Sequence, residues 1–367
     1  MKTRYKILNG FLIFLVVSIT ALAFVLGRTA DCEPTPAVSG GSETMKAITY
    51  NCYGPPDVLQ FADVEKPTPA DDEVLVKVHA AAVNPLDWHF VRGTPYLLRL
   101  GIGLSTPGQV IPGVDFSGTV ESVGKNVKSF KPGDEVYGGA NEAFAEYVTV
   151  REGASLVLKP ANMSFEQSAA VPIAGVTAIQ ALRDYGKLQP GQKVLINGAS
   201  GGVGTFAVQV AKSFGAEVTA VCSARNAEMV RSLGADHVFD YKKESYTESG
   251  QHYDLIIDMI SNHSLTANRS VLNPGGHYVI VGGGKGDWVG FMGGPLKAMI
   301  LSAFVDEKFG MMMAEIHNED LESLNELMQA GELTPVIDRR FKLSEVADAL
   351  RYSEEGHARG KIIIYME

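Results

Sequence analysis

The chain has 367 residues, of which 46% are apolar and 20% charged, and its formal net charge is −10. At roughly 150 residues per domain, this length predicts two domains, and the apolar fraction excludes an intrinsically disordered chain. The acidic balance and the absence of a basic run argue against a nucleic-acid partner. Three scattered cysteines without a C-x-x-C pair exclude a disulfide scaffold and a four-cysteine zinc site. A small-molecule partner is therefore expected.

The first feature in chain order is an uncharged, mostly apolar stretch from Ile7 to Gly27. At about 1.5 Å per residue, it is long enough as a helix to cross the hydrocarbon core of a bilayer. The alternative is a cleaved signal peptide, because basic residues precede the stretch and residues 21–23 resemble a cleavage site. The length of the apolar run favours an uncleaved transmembrane anchor at residues 7–27. Residues 31–45 are rich in Pro, Gly, Ser and Thr and are predicted to be a flexible linker.

The remainder of the chain changes its pattern twice. Residues 46–170 alternate short apolar runs, one of them at residues 143–150, with glycine and proline turns, which predicts a β-rich domain. Residues 171–317 alternate apolar runs with amphipathic segments, which predicts a parallel sheet covered by helices. The tail, residues 318–367, returns to a helix and a last strand, and we expect it to complete the first domain. The predicted class is α/β, with a Rossmann parallel sheet beside a smaller β-rich domain.

A glycine-rich turn lies between the buried run Lys193–Asn197 and an amphipathic helix that begins near Thr205. Gly201 lacks a Cβ, so a diphosphate can approach the backbone N–H groups at the helix start, and Gly204 lets helix and strand pack closely. The alternative is a purely structural turn. The strand–turn–helix context favours dinucleotide binding. The residues predicted to bind the cofactor here are Ala199, Ser200, Gly201, Gly202, Val203 and Gly204.

The end of the next apolar run, residues 217–222, predicts which dinucleotide is bound. An NAD site needs a carboxylate there to accept a hydrogen bond from the ribose 2′-hydroxyl, and the sequence has none. Ser223 and Arg225 follow instead, and a hydroxyl and a guanidinium suit a 2′-phosphate. The alternative is that Arg225 is only a solvated cation. The sequence therefore predicts NADPH.

The turn, together with the segments at residues 84–88, 112–118, 234–237 and 356–361, resembles the quinone oxidoreductase (zeta-crystallin-like) group of the medium-chain dehydrogenase/reductase superfamily. The resemblance covers nearly all of residues 46–367. It implies a chaperonin-10-like catalytic domain at 46–170, completed by 318–367, and a Rossmann NADP-binding domain at 171–317. The site residues that it implies are Asn84 and Asp87 near the nicotinamide, Thr177, Val281, Gly282 and Lys361 against the cofactor, and Ser223, Arg225 and Tyr241 at the adenosine phosphate.

The zinc-dependent branch of that superfamily carries a cysteine and a histidine that would fall near Asn84 and Val114, and neither is present. We therefore expect no metal. The hypothesis is metal-free hydride transfer from NADPH to a quinone or an α,β-unsaturated carbonyl. In this mechanism Asn84 would donate a hydrogen bond through its amide, and Asp87 would orient neighbouring groups. Tyr53, Tyr96 or water would supply the proton. The alternatives are an enoyl-thioester reductase and a membrane-tethered NADPH-binding protein without turnover.

Two apolar connections, residues 96–100 and 288–313, have two interpretations. If they border the cleft, the substrate is hydrophobic; otherwise they make core contacts or the contacts of a homodimer. The membrane side of the catalytic domain is also open at this point. Cofactor supply favours the cytoplasm, whereas the basic residues before the apolar stretch favour export of the catalytic domain.

Overall fold

The protein is described by a computed structural model that covers residues 18, 20, 22–35, 38, 41–283, 287–288, 302 and 305–366. The strands in these residues are β1 (Thr44–Thr49), β2 (Gln60–Glu65), β3 (Glu73–Val83), β4 (Asp115–Val123), β5 (Glu135–Gly139), β6 (Tyr147–Arg151), β7 (Leu156–Leu158), β8 (Lys193–Asn197), β9 (Glu217–Cys222), β10 (His237–Asp240), β11 (Tyr253–Asp258), β12 (Leu272–Ile280), β13 (Lys308–Met311), β14 (Ile337–Lys342) and β15 (Lys361–Tyr365).

The helices that cover and connect these strands are mostly short. They are α1 (Pro85–Arg92), α2 (Arg99–Ile102), α3 (Phe165–Ala169), α4 (Pro172–Gln180), α5 (Gly202–Ser213), α6 (Ala227–Ser232), α7 (Leu265–Arg269), α8 (Asn318–Gln329) and α9 (Val346–Glu354).

One sheet has the order β14-β15-β3-β4-β5-β7, with β6 also paired to β3, while β1 and β2 form a separate antiparallel pair. Strand β3 pairs with β4, β15 and β6, and almost all of its side chains are buried. Because β15 pairs antiparallel with β3, the end of the chain joins the sheet of the first half. This pairing brings residues near position 360 back to the first domain.

The second sheet has the order β10-β9-β8-β11-β12-β13, and every pairing in it is parallel. Numbered within this sheet, the order is 3-2-1-4-5-6, which is the order of doubly wound dinucleotide-binding sheets. Apolar clusters cover both faces, one including Phe206 and the other Tyr278. The predicted α/β class with a Rossmann sheet and a β-rich partner is confirmed. In such sheets ligands bind where the order reverses, here at the carboxyl ends of β8 and β11.

The predicted transmembrane anchor is not found in the part of the chain that is described. Of residues 7–27, only 18, 20 and 22–27 belong to it, and residues 22–26 are helical. The rest of the predicted anchor lies outside the described residues. Among those that are described, no helix has both the length and the apolarity to cross a membrane.

The predicted flexible linker at residues 31–45 lies partly outside the described residues, which omit 36, 37, 39 and 40. Where it is described, two features differ from a flexible tether. Strand β1 already begins at Thr44, and Cys32 forms a disulfide with Cys52, which the cysteine count did not anticipate. The Thr35 backbone N–H also donates to the Gln60 side chain at 2.9 Å. Polar residues that suggested a solvated tether instead hydrogen-bond to the first domain, and the covalent bridge limits how far the segment can move away.

Candidate active site

The glycine turn after β8 forms an open cradle at the start of α5. Gly198 has φ +94°, and α5 begins at Gly202. The first N–H groups of a helix have no partner within the helix, so those of residues 202–204 are available to an anion. A β-carbon added to Gly201 would lie 3.5 Å from its nearest neighbour, the Gly198 carbonyl, whereas one added to Gly204 would lie 2.2 Å from that same oxygen. Packing therefore requires a glycine at 204, and the missing side chain at 201 leaves room for a ligand.

Beside this cradle, the residues after β9 form a polar pocket wall. Asn226 donates from Nδ2 to the Ser200 hydroxyl at 2.9 Å. Its Oδ1 is buried and has no hydrogen-bond partner in the described part of the chain. Ser223 is buried, Tyr241 is 52% exposed, and the one hydrogen bond that the Arg225 guanidinium makes to described residues is to the His357 carbonyl, at 3.4 Å. An orphaned acceptor and a weakly engaged cation at the end of β9 fit the phosphorylated adenosine half of NADPH.

The C-terminal strand carries Lys361 directly to the cradle. Gly360 forms a parallel bridge with Gly201, and a β-carbon added to Gly202 would lie 3.3 Å from Lys361 Cδ. The loop before this bridge also contacts Arg225 through His357. Three sequence-predicted cofactor residues (Gly201, Gly202 and Lys361) are therefore brought together by a contact between the two sheets.

Lys361 belongs to a buried polar cluster with Asn84 and Asp115. Lys361 is 2% exposed and Asp115 0%. The Lys361 ammonium donates to Asn84 Oδ1 at 2.5 Å and to Asp115 Oδ2 at 3.1 Å, and Asn84 Nδ2 donates to Asp115 Oδ2 at 2.9 Å. Asp115 Oδ1 accepts from the Ile173 N–H at 3.0 Å. Burial raises the pKa of Asp115, and the charge of Lys361 opposes that rise.

The geometry of this cluster bears on the role predicted for Asn84. One N–H of its amide points to Asp115, and Nδ2 is also 3.5 Å from the Ala82 carbonyl. Its amide is thus directed at protein acceptors. Lys361 has three N–H groups and uses two of them on Asn84 and Asp115, which leaves one for a ligand as far as the described contacts extend.

Asp87 lies at the first turn of α1 and forms a capping box with Asn84. Its Oδ2 accepts from the Asn84 backbone N–H at 2.7 Å. Burial raises the pKa of Asp87 from 3.8 to about 7, because the hydrogen bond from Asn84 and the charge of Lys361 offset only part of the desolvation. This side chain orients the start of α1.

The raised pKa predicts an unusual pH dependence of stability. The folded protein binds the Asp87 proton more tightly than the unfolded chain, so this group destabilises the fold as pH rises from about 4 through about 7. Asp87→Asn retains an acceptor for the Asn84 N–H, and its unfolding free energy relative to wild type should increase between pH 5 and pH 8 in urea titrations. Asp134→Asn is the control: Lys131 lowers the pKa of Asp134, so this carboxyl is ionised in both the folded and unfolded states between pH 5 and pH 8, and its removal should leave the pH slope unchanged. No difference in pH slope between wild type and Asp87→Asn would contradict the assignment.

Tyr53 and Tyr96 lie at the other end of α1, on either side of Arg99. The guanidinium carbon of Arg99 is 4.4 Å from the Tyr53 ring centroid and 4.9 Å from that of Tyr96. The Tyr53 hydroxyl donates to the carbonyls of Ile102 and Gly103, at 3.0 and 2.7 Å. Burial raises the pKa of Tyr53 to about 12. A phenol held in this way is a weak proton donor, so the geometry does not favour its predicted acid role.

The other predicted cofactor residues lie on the second sheet or beside it. Thr177 is buried within α4, and Val281 and Gly282 follow β12, where their N–H groups approach the Asp258 carbonyl at 2.9 and 3.4 Å. Among the described residues, no group of three His, Cys, Asp or Glu side chains is placed to hold a metal ion.

Sequence reasoning missed Asp115 and Arg99. Both are buried charged residues, and Asp115 is the first residue of strand β4, whose first four residues are buried. A carboxylate at the start of a buried run is a signal in itself, because charged residues are rarely buried without a partner. Arg99 gave no comparable signal, since it lies in a short connection.

Two family models match the chain. One, described as an alcohol dehydrogenase GroES-like domain, matches residues 70–161, and the other, described as a zinc-binding dehydrogenase, matches residues 233–364. The first match contains strands β3 to β7 of the first sheet. The second begins just before β10 and reaches into β15, so it includes parts of both sheets.

Individual relatives match over nearly the whole chain. The 2-methylene-furan-3-one reductase of Solanum lycopersicum is 34% identical over 355 residues, covering 92% of this chain and 83% of the relative. The chloroplastic NADPH-dependent alkenal/one oxidoreductase of Arabidopsis thaliana is 34% identical, covering 88% and 79%. The solved quinone oxidoreductase from Coxiella burnetii superposes with a TM-score of 0.78 at 30% identity, covering 89% of this chain and 100% of the other.

Proposed function

Because the chain belongs to the medium-chain dehydrogenase/reductase family, among relatives that include quinone oxidoreductases, we propose that it uses NADPH to reduce a quinone or an α,β-unsaturated carbonyl. The observation that carries the proposal is the open cradle at Gly201 with the Lys361 side chain beside it. NADPH, when bound, supplies a hydride. The chain's own residues then bind and orient the cofactor and the substrate, and they stabilise the charge that develops on the substrate.

In this proposal the N–H groups of residues 202–204 and the adjacent Ser200 hold the diphosphate. Ser223, Arg225 and Tyr241 hold the adenosine phosphate, and Thr177, Val281 and Gly282 border the nicotinamide. Asp115 holds the Lys361 ammonium next to the cradle through a contact of 3.1 Å. Negative charge that develops on the substrate oxygen needs a hydrogen-bond donor, and the third N–H of Lys361 is the candidate. Asn84 and Asp87 act as positioning residues through their contacts with Lys361 and with α1.

The decisive experiment is a screen of NADPH oxidation with quinones, alkyl enones and enoyl thioesters, run beside NADH, together with calorimetry of both cofactors. We expect heat with NADPH and turnover with quinones or enones. Turnover confined to thioesters would indicate an enoyl-thioester reductase. Heat without any turnover would indicate an NADPH-binding protein that lacks this activity, and stoichiometric zinc on elemental analysis would contradict the metal-free mechanism.

Cofactor preference provides a separate prediction. Within the described residues, Arg225 makes one long hydrogen bond, of 3.4 Å to the His357 carbonyl, so its charge is available to a 2′-phosphate. Arg225→Ala should raise the KM for NADPH about tenfold or more, the size expected for a charge-assisted hydrogen bond, and should leave the KM for NADH nearly unchanged. Steady-state kinetics with both cofactors test this. Arg231→Ala, on the same segment but within α6, is the matched control, and equal effects on the two cofactors would refute the assignment of Arg225.

We also propose that residues 7–27 attach the protein to a membrane as a single pass, on the strength of their length and lack of charge. Full-length protein should then resist carbonate extraction from membranes, and a chain that begins at residue 46 should not. Protease protection of intact vesicles reports which side holds the catalytic part. Release of the full-length chain by carbonate would contradict membrane insertion.

A further inference from the structure

The segment that follows the N-terminal helical turn packs against the connection between α1 and β4. Leu26 is buried, and the Ala30 N–H donates to the Ser105 carbonyl at 3.1 Å. Further along, the disulfide between Cys32 and Cys52 joins the segment to the residue before Tyr53. Cys32 is exposed and Cys52 is buried, so the bridge fixes a surface segment to the interior.

Arg99 makes most of the contacts between this segment and the connection. It is 2% exposed, and no carboxylate is paired with it in the described part of the chain. Its Nη1 donates to the carbonyls of Leu26 and Arg28, at 2.9 and 2.7 Å, and its Nε donates to the Gly93 carbonyl at 2.8 Å. A buried guanidinium needs these acceptors, because each unmet N–H carries a desolvation cost. The two shortest contacts from Nη1 thus come from the N-terminal segment, which helps to hold Arg99 over the two tyrosine rings.

The same residues enclose a cavity of about 270 Å³, which we call the outer cavity. Its lining includes Thr29 of the segment, Tyr53, Tyr96, Arg92 and Arg99 of the first domain, and Asp287 of the second half. A larger cavity of about 370 Å³, near Asn141 and Arg151, has none of the predicted site residues in its described lining. The outer cavity is also more polar than the hydrophobic substrate pocket expected from the sequence.

The outer cavity lies one helix length from the buried cluster. Asn84 caps the start of α1, and Arg92 and Gly93 end it, so the two positions are about 12 Å apart along eight residues. A substrate that reacts beside Lys361 would therefore place its distal part, not its reacting carbon, in the outer cavity.

We propose that residues 26–32 form a wall of the outer cavity and that the Cys32–Cys52 disulfide holds this wall in place for the distal part of the substrate. The inference rests on the proposed function for its substrate. Reduction by a dithiol breaks the S–S bond, adds two electrons and two protons to give two thiols, and leaves the dithiol as a cyclic disulfide. The freed segment withdraws Thr29 and the two carbonyls that Arg99 needs.

The test compares wild type, wild type reduced with a dithiol that is then removed, and Cys32→Ser. The probes are cyclohexenone, which is too short to reach the outer cavity from the reacting position, and a linear dodecenone with a terminal hydroxyl group, which enters this polar cavity. We expect the KM for dodecenone to rise about fivefold to tenfold in the reduced and variant proteins, the effect of losing one or two hydrogen bonds that order the site. The KM for cyclohexenone, the kcat values and NADPH affinity should stay within about twofold.

Cys32→Ser also controls for reduction elsewhere, because dithiol treatment should not change it further. Equal KM values for dodecenone in all three proteins would overturn the inference, and a parallel rise for both probes would show general loosening instead of a cavity wall.

If no protein turns over either enone, the proposed function fails. The wall is then tested by Trp288 fluorescence, since Trp288 lies edge-on to Tyr96 at 4.9 Å. Reduction should change the emission of wild type and not that of Cys32→Ser, and an unchanged wild-type emission would count against the wall.

Discussion

Gly201→Ala is expected to weaken NADPH binding more than tenfold while leaving the thermal midpoint within about 2 °C of wild type. A β-carbon at this position meets no protein atom closer than 3.5 Å, so the fold accepts it. It would instead occupy the space through which a diphosphate approaches the N–H groups of α5. Isothermal titration calorimetry with NADPH, together with thermal unfolding of the free protein, measures both effects.

Gly204→Ala is the companion variant, and its main expected effect is on the stability of the fold. Its β-carbon would lie 2.2 Å from the Gly198 carbonyl and 2.7 Å from backbone atoms of Ala199, and backbone cannot move aside as a flexible side chain can. Overpacking of this kind costs about 1–3 kcal/mol. The variant should therefore lose stability even without cofactor. If the two variants had the same profile, the division between a ligand cradle and a packing glycine would be wrong.

Lys361→Met is expected to have the largest effect on stability. Asp115 is fully buried, and removal of its cationic partner leaves an uncompensated charge, which costs about 3–5 kcal/mol. Loss of Lys361 raises the pKa of Asp115 further, so its carboxyl group takes up a proton on folding. The loss of stability should therefore grow as pH rises, and urea unfolding at pH 5.5 and pH 8 measures it.

Two further variants calibrate that result. Lys125→Met removes an ion pair in which both side chains are exposed, and such pairs contribute about 1 kcal/mol or less. The double variant Asp115→Asn/Lys361→Met should recover part of the loss, because it no longer buries a lone carboxylate. A cost for Lys361→Met as small as that for Lys125→Met would argue that Asp115 is solvated and that the cluster does not hold Lys361 in place.

Sequence patterns predicted the second sheet with good accuracy. The runs at 193–197 and 217–222 coincide with β8 and β9, and the helix expected from Thr205 begins only three residues earlier, at Gly202. Apolar runs that are buried on both faces and separated by glycine turns leave few alternatives to a parallel sheet. The first half was less regular. The run at 143–150 predicted one strand, whereas β6 starts at Tyr147 and Ala145 makes only a single bridge to Ala47.

Roles at the candidate site were harder to predict than positions. Asn84 and Asp87 were singled out, and the structure places both in one buried cluster, but it directs the Asn84 amide at Asp115. The proposed donor is therefore Lys361, which the sequence placed only near the cofactor. Which hydrogen bonds an amide makes depends on neighbours that lie far away in the chain, and no local pattern contains that information.

The amino-acid sequence by itself determined the α/β class, the glycine turn and the absence of a carboxylate after β9. Each of these depends on residues close together in the chain, through backbone conformation and the periodicity of apolar side chains. Only the tertiary structure decided that Asp115 pairs with Lys361, 246 residues away, and that Cys32 bridges to Cys52. Those contacts exist because β15 returns to β3 and because the N-terminal segment packs on the first domain, and chain topology is the physical reason for both.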